Sequence, residues 1–262
     1  MARARGCLIL WTLLLQLPLA KSPVIVYYSS MKLLTVGNTK TVKGEAKGYR
    51  TFILHLAPAK LSGYNVCPMA SKGCAAACLN TAGRGRFTKT QAARIRKTKL
   101  FFEDRDTFMV MLVKDIRAAI RNADRENLIP VFRLNGTSDI RWETVTVGTK
   151  VNSTFMADNI MALFPTVQFY DYTKLANRGK LPANYHLTFS RSETNEISVL
   201  DWLGMGGNIA AVFAHLPETW NGYKVVSGDE TDLRFLDGDN VIVGLTAKGA
   251  AKKDASGFVV TV

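Results

Sequence analysis

The chain has 262 residues, 47% of them hydrophobic and 21% charged, with 20 Gly, 8 Pro and 4 Cys. That balance describes a globular protein able to bury a large core, and it excludes a disulfide scaffold, a collagen-like chain and a disordered tract. The formal charge of +13 is concentrated, because residues 40–99 carry thirteen Lys/Arg against one acid, Glu45. Such a segment faces something anionic (nucleic acid, a phosphorylated substrate, an anionic cofactor) or forms a solvated basic helix.

Arg3 and Arg5 precede an apolar run over 7–19 and the small residues Ala20 and Ser22, the layout of a secretory signal. Pro23 after the cleavage point and the odd cysteine count left behind oppose processing. Met31 opens a start of its own. Residues 1–30 are therefore expected to be a leader outside the fold, and 31–262 a single cytoplasmic α/β domain. Beyond Met31 no apolar run reaches the ~18 residues of a membrane span.

The first strand is expected at 51–56. The loop after it carries Cys67, Cys74 and Cys78 in a C-x6-C-x3-C pattern. Cys74 and Cys78 lie four apart in an alanine-rich stretch and share one face if it is helical. Pro68 and Gly73 let Cys67 fold back toward them, and Lys72, Arg84 and Arg86 favour the thiolate form. A helix over 88–122, broken near Arg105, follows from Phe102, Phe108, Met109, Leu112, Val113, Ile116 and Ile120 at three- and four-residue steps. Further strands are expected at 129–134, 166–170, 185–189, 209–213, 224–226 and 241–245, with helices at 153–163 and 192–203. Apolar runs separated by helices indicate a mostly parallel α/β sheet, open or curled into a partial barrel.

Polar residues follow nearly every strand. Asn135, Ser138 and Asp139 come after the second, Asp171 and Lys174 after the third, and Ser190 and Arg191 after the fourth. Asp229, Asp232 and Lys248 follow the last two. Parallel folds place their sites at the carboxyl ends of strands, so these residues are expected to line one binding face. The competing reading is ordinary turn chemistry.

For the cysteines three readings stay open. Structural zinc wants four ligands, usually in paired knuckles, and His55, His186 and His215 each sit in or beside an apolar run. An iron–sulfur cluster of the 4Fe–4S type on three cysteines leaves one iron for a non-protein ligand. Three small buried residues packing a helix is the third reading.

The run 67–86, with Asn135-Gly136-Thr137-Ser138-Asp139, Phe169-Tyr170-Asp171-Tyr172-Thr173-Lys174 and Leu187-Thr188-Phe189-Ser190-Arg191-Ser192-Glu193, resembles a bacteriophage family labelled "gene product 88"-like. The resemblance continues through Gly228-Asp229-Glu230-Thr231-Asp232 to Gly244-Leu245-Thr246-Ala247-Lys248-Gly249. It implies a phage setting rather than a particular reaction. A looser likeness is to radical S-adenosylmethionine enzymes, which carry three cluster cysteines in the loop after the first strand of a partial α/β barrel. Those enzymes also carry a Gly-rich polar motif after the second strand, matched in position by residues 135–139. Their usual spacing is C-x3-C-x2-C, from which this chain departs.

Two functions compete. One is an iron–sulfur enzyme acting on a nucleotide, nucleic acid or modified amino acid. In it Asn135, Ser138, Asp139, Ser190 and Arg191 meet S-adenosylmethionine, while Asp171, Lys174, Asp229, Asp232 and Lys248 meet the substrate. The other is a non-catalytic nucleic-acid-binding protein of phage replication or host takeover. Here a metal clip holds the cysteines, Arg84, Arg86, Lys89, Arg94, Arg96 and Lys97 bind phosphates, and Phe87 stacks on a base. No Walker loop and no G-x-S-x-G elbow occurs. Glu143, Asp171, Asp229 and Asp232 are the carboxylates available for magnesium.

Overall fold

The computed structural model describes residues 31–36, 39–148 and 155–262; the leader expected at 1–30 lies outside them. The chain runs β1 (Leu34–Thr35), α1 (Thr39–Glu45), β2 (Tyr49–Leu54), α2 (Lys72–Ala76), α3 (Thr88–Glu103), α4 (Arg105–Asp124) and β3 (Ile129–Arg133). It continues through α5 (Ile160–Leu163), β4 (Gln168–Thr173), β5 (Tyr185–Ser190), α6 (Glu196–Gly204) and β6 (Ile209–Phe213). The last elements are β7 (Thr219–Trp220), β8 (Tyr223–Ser227), β9 (Ile242–Thr246) and β10 (Val259–Val260). Strands β2, β3, β4, β5, β6, β9 and β8 lie side by side in that order, all parallel. β1 is antiparallel on β2, β7 is antiparallel on β8, and β10 pairs parallel with the end of β6. The sheet is mostly parallel, as expected, and among the described residues no pairing closes it.

All seven expected strands form, with shifted ends. The consequential shift is β4, expected at 166–170. Val167 still belongs to the preceding turn, where its N–H donates to Phe164 O at 3.1 Å, so the strand begins at Gln168. Asp171 therefore lies inside the strand and not in the loop beyond it.

The long helix divides at Asp104, whose carboxylate caps α4 by accepting from Thr107 N at 3.2 Å. Phe108, Leu112 and Ile116, four apart and fully buried, form the stripe by which α4 packs on the core; each contributes about 1.5–3 kcal/mol by burial. Two expected helices are shorter than their pattern. Within 153–163 only Ile160–Leu163 is helical, because Asn159 caps it by accepting from Ala162 N and Ala157 bridges to Val147 instead; residues 153 and 154 lie outside the described residues. The helix expected from 192 begins at Glu196. Asn195 holds the entry as a turn, accepting from Ser192 N at 2.7 Å and donating to Ser190 O at 3.0 Å.

Alternation along the strands gives the sheet two unlike faces. On one, Phe132 lies 5.4 Å from Phe52 and 5.6 Å from Phe169, ring to ring. Phe189, Ile209 and Phe213 on that face pack against Val199 and Leu203 of α6. This is the helix face. On the other, Val131 and Tyr170 meet Leu233 and Phe235 of the segment that crosses the sheet between β8 and β9. This is the inner face.

Replacing Phe132 by Ala removes the middle ring of the aromatic column and should cost about 3–5 kcal/mol in urea unfolding. A loss below about 1 kcal/mol would show that the column is not the core of the helix face.

Candidate cysteine site and the inner face

The loop after β2 is fastened to the loop after β3. Gly136 N donates to Leu54 O at 3.0 Å, Thr137 Oγ1 to Leu56 O at 2.6 Å, and Asp139 N to Val66 O at 2.8 Å. Cys67 follows directly, its N–H donating to Asn65 Oδ1 and its thiol to Thr137 O at 3.7 Å. Ser71 caps α2 by accepting from Cys74 N at 3.1 Å. Glu193, beyond β5, accepts from Ser71 Oγ and Gly73 N, both at 2.7 Å. Gly73 must be glycine for this clamp, since a Cβ there would stand 2.8 Å from Phe258 Cβ and 2.9 Å from Glu193 Cδ, and against Ser256 Oγ. Cys74 and Ala77 pack with Val212 and Phe258, which places α2 over the carboxyl end of β6.

Cys78 heads a 3-10 turn, Leu79–Thr81. Asn80 ties that turn to α3: its amide donates to Gln91 Oε1 at 2.8 Å, and its Oδ1 accepts from Arg94. Gln91 returns bonds to Asn80 O and Gly85 O.

Among the described residues the three cysteines, Cys67, Cys74 and Cys78, are half-buried with free thiols. Burial pushes the Cys67 thiol up to about 11, and negative charge on Cys78, Asp139 or Cys74 pushes it the same way. Burial also raises Cys78, with Cys74 adding to the rise and Arg94 and Lys174 opposing it. Neither of those cations is ion-paired among the described residues. Arg94 donates to an amide oxygen, and Lys174 Nζ donates to Ser190 Oγ at 2.6 Å. No three His, Cys, Asp or Glu side chains among the described residues stand close enough together to hold one metal ion.

Beneath this rim lies the inner face. Tyr172 and Thr188 are register partners on β4 and β5, and Arg133 stacks over the Tyr172 ring at 4.7 Å. Segment 231–237 crosses them, held by Arg133 Nη1 donating to Asp232 Oδ2 at 2.7 Å. Eight buried side-chain polar atoms among the described residues lack a hydrogen-bond partner. Seven of them belong to Arg133, Tyr172, His186, Thr188, Arg234 and Asp237, around this segment; Arg234 Nη1 and Asp237 Oδ2 pair with each other as ions at 3.3 Å, which leaves five without any partner. Each such group costs about 1–3 kcal/mol unless water or a ligand satisfies it. Periodicity gave no sign of this layer, because Arg133, Tyr172 and Thr188 sit within runs that read as strand. Glu193 was legible only as one polar residue among several after β5.

The expected site residues divide into groups. Lys174 and Ser190 lie on the inner face, bonded to each other, and the Lys174 charge acts on Cys78. Asn135, Ser138, Asp139 and Asp171 do not. Asn135 Oδ1 accepts from Ser138 Oγ, Ile140 N and Trp142 Nε1. Asp139 accepts from Thr173 Oγ1 and Lys174 N, both at 2.8 Å, and from Arg178, which also pairs with Glu143. Asp171 lies on the helix face, fully buried, accepting from Asn135 N at 2.7 Å and Tyr185 OH at 3.0 Å. Arg191 is spent on Glu196 and on the carbonyls of Gly257 and Phe258. Asp229 and Lys248 form an ion pair at 2.6 Å on the β8–β9 rim, and Asp232 is the partner of Arg133.

Of the basic residues, Arg84, Arg86, Lys89 and Arg96 point outward. Arg94 and Lys97 are buried, and Lys97 Nζ donates to Leu33 O at 2.6 Å. They share the inward face of α3 with Phe101 at three- and four-residue steps, so the expected phosphate contacts at Arg94 and Lys97 are corrected to internal bonds. Burial brings Lys97 down to about 8. Burial and the charges of Arg94, Arg133 and Lys97 hold His55 down at about 3.

Two outcomes check this geometry. Burial pushes the Asp171 carboxyl up to about 7 against the lowering pull of Arg133 and its two hydrogen bonds. The folded value exceeds the unfolded one of about 3.9. Its contribution to stability is therefore complete below about pH 4 and lost as pH rises through about 7. Asp171→Asn should flatten the fall in urea midpoint between about pH 4 and 7; an unchanged slope would refute the burial argument. Gly73→Ala should lower stability by about 1–3 kcal/mol through overpacking, and a neutral effect would show that the Glu193 clamp yields.

The comparisons bear on the whole domain. No curated protein and no solved structure matches the chain. Among the described residues no helix is long and apolar enough to cross a membrane. The family model of Gene product 88 matches residues 32–262, the span that contains the sheet, the three cysteines and the inner face, and the chain belongs to that bacteriophage family.

Proposed function

We propose that this is a phage iron–sulfur enzyme of the host cytoplasm, with a 4Fe–4S cluster held by Cys67, Cys74 and Cys78. The observation that carries the reading is the set of three half-buried free thiols on the fastened loop after β2, with Arg94 and Lys174, two cations without an ion-pair partner among the described residues, acting on Cys78. Such charges offset thiolates bound to iron. A single zinc ion requires donors converging at about 2.0–2.3 Å on one point, and the described residues offer no such group. Three soft thiolates with no fourth protein ligand among the described residues suit a cluster that leaves one iron free better than a closed tetrahedral zinc. Bound there, a cluster with one iron free of cysteine supplies one-electron chemistry and a place for the amine and carboxylate of S-adenosylmethionine.

The chain's own part is positional. Glu193 and Ser71 hold the Cys74 turn, Asn80 and Gln91 hold the Cys78 turn, and the Asp139 backbone holds the approach to Cys67. Lys174 and Ser190 become the cosubstrate contacts, since Asn135, Ser138, Asp139 and Arg191 are engaged in internal bonds. The substrate, an anionic molecule, enters over the inner face toward Arg133, Tyr172 and Thr188, whose unpartnered donors await a polar group.

Anaerobic expression and reconstitution should give a brown protein with about four irons and four sulfides per chain. Each single cysteine-to-alanine variant should lose the colour while keeping its far-ultraviolet dichroism. S-adenosylmethionine should perturb the electron paramagnetic resonance of the reduced protein, and Lys174→Ala should weaken that perturbation with the iron content unchanged. Stoichiometric zinc without iron would overturn the cluster, and a signal indifferent to S-adenosylmethionine would overturn the cosubstrate.

A further inference from the structure

Residues 46–102 contain no Asp or Glu, so no carboxylate within this stretch neutralises its cations. The structure sorts those cations by direction. Arg94 and Lys97 turn inward, while Arg84, Arg86 and Lys89 stand exposed around Phe87, whose own side chain is 54% exposed. Leu79, one residue beyond Cys78, is 61% exposed on the same fastened turn. An exposed aromatic between three cations has no role in the core.

This ridge is rigid. Gln91 holds both Asn80 O and Gly85 O. A Cβ on Gly85 would lie 2.7 Å from Asn80 O, so the 3-10 turn Gly83–Arg86 sits directly on the turn that Cys78 heads. A platform already ordered loses little entropy when a base stacks on it. The first turn of α3 adds backbone donors, because Phe87 supplies no capping side chain and no acidic residue occupies that turn.

We infer that Arg84, Arg86, Phe87 and Lys89 form a docking ridge for single-stranded nucleic acid, which it presents to the cysteine rim. This rests on the reading of that rim as the reactive site and names its substrate class. Cations beside Phe87 take the phosphates, and the ring takes one base. A base is free to stack on a side chain only when it is out of a duplex, which makes the ridge selective for single strands.

The test is fluorescence anisotropy of the full chain with a labelled 20-nucleotide deoxythymidine strand and with a labelled duplex of the same length. At low salt the single strand should bind at least about ten-fold more tightly than the duplex. Phe87→Ala should weaken single-strand binding by about 5- to 150-fold, the range for one stacked base, with the salt slope unchanged, and Phe87→Trp should restore it. The triple variant Arg84→Ala, Arg86→Ala, Lys89→Ala should lower the slope of log affinity against log salt by about 2. Arg121→Ala, an exposed cation on α4, should change neither. All these side chains are exposed, and matched thermal melting confirms that the variants fold.

Absence of binding at low salt, equal affinity for duplex, or an inert Phe87→Ala would overturn the ridge. The same titration on the unaltered chain after anaerobic reconstitution, with its iron assayed alongside, separates the two proposals. Strand binding by that chain without iron uptake would sustain the ridge and sink the cluster. A loaded chain with no affinity for the strand would do the reverse.

Discussion

A single buried residue, Asp139, ties together three of the strand ends on which the site is built. Its backbone N–H holds Val66 O, one residue before Cys67, while its carboxylate accepts from Thr173 Oγ1 and Lys174 N at the end of β4. The same carboxylate meets Arg178, which carries Glu143 with it. Burial raises this carboxyl against the pull of those bonds and charges. Breaking one partner of such a network leaves a buried charge unsatisfied, which is far more costly than the net value of any single bond. Asp139 thus fixes the cysteine loop and the backbone at Lys174 relative to each other.

The two faces of the sheet do different work because they are covered differently. The helix face is closed by aromatic and aliphatic packing, and the buried carboxylate on it, that of Asp171, is matched by a backbone donor and a tyrosine hydroxyl. The inner face is crossed by a short segment that leaves five polar atoms without partners among the described residues. A stable core does not tolerate that density of unpaired groups unless water or a ligand completes them. Among the described residues the least satisfied polar layer therefore lies on the inner face, under segment 231–237.

Strands were legible because short β-branched and aromatic runs between turn signals are local features. The break at Asp104 was legible for the same reason. Errors arose where one side chain overrode a pattern. Asn159 and Asn195 offered the backbone a competing hydrogen bond and shortened two helices. The two-residue shift of β4 had a larger effect, since it moved Asp171 from an expected pocket to the helix face. Beyond a strand's end a side chain is free to turn into a pocket, whereas inside β4 alternation fixes Asp171 on the same face as Phe169.

Composition, periodicity and the C-x6-C-x3-C spacing by themselves determined the fold class, the approximate strand positions and the presence of a thiol-rich loop after the first parallel strand. These are properties of contiguous residues. Tertiary structure alone decided that Arg94 turns inward to Asn80 and acts on Cys78 while Arg84 and Arg86 turn outward. It also decided that Glu193 rather than a residue of the loop clamps the Cys74 turn, and that Arg133, Tyr172 and Thr188 face one another. Each of these depends on which strand lies beside which and on which face a side chain takes, and partners more than a hundred residues apart are brought together only when the sheet forms.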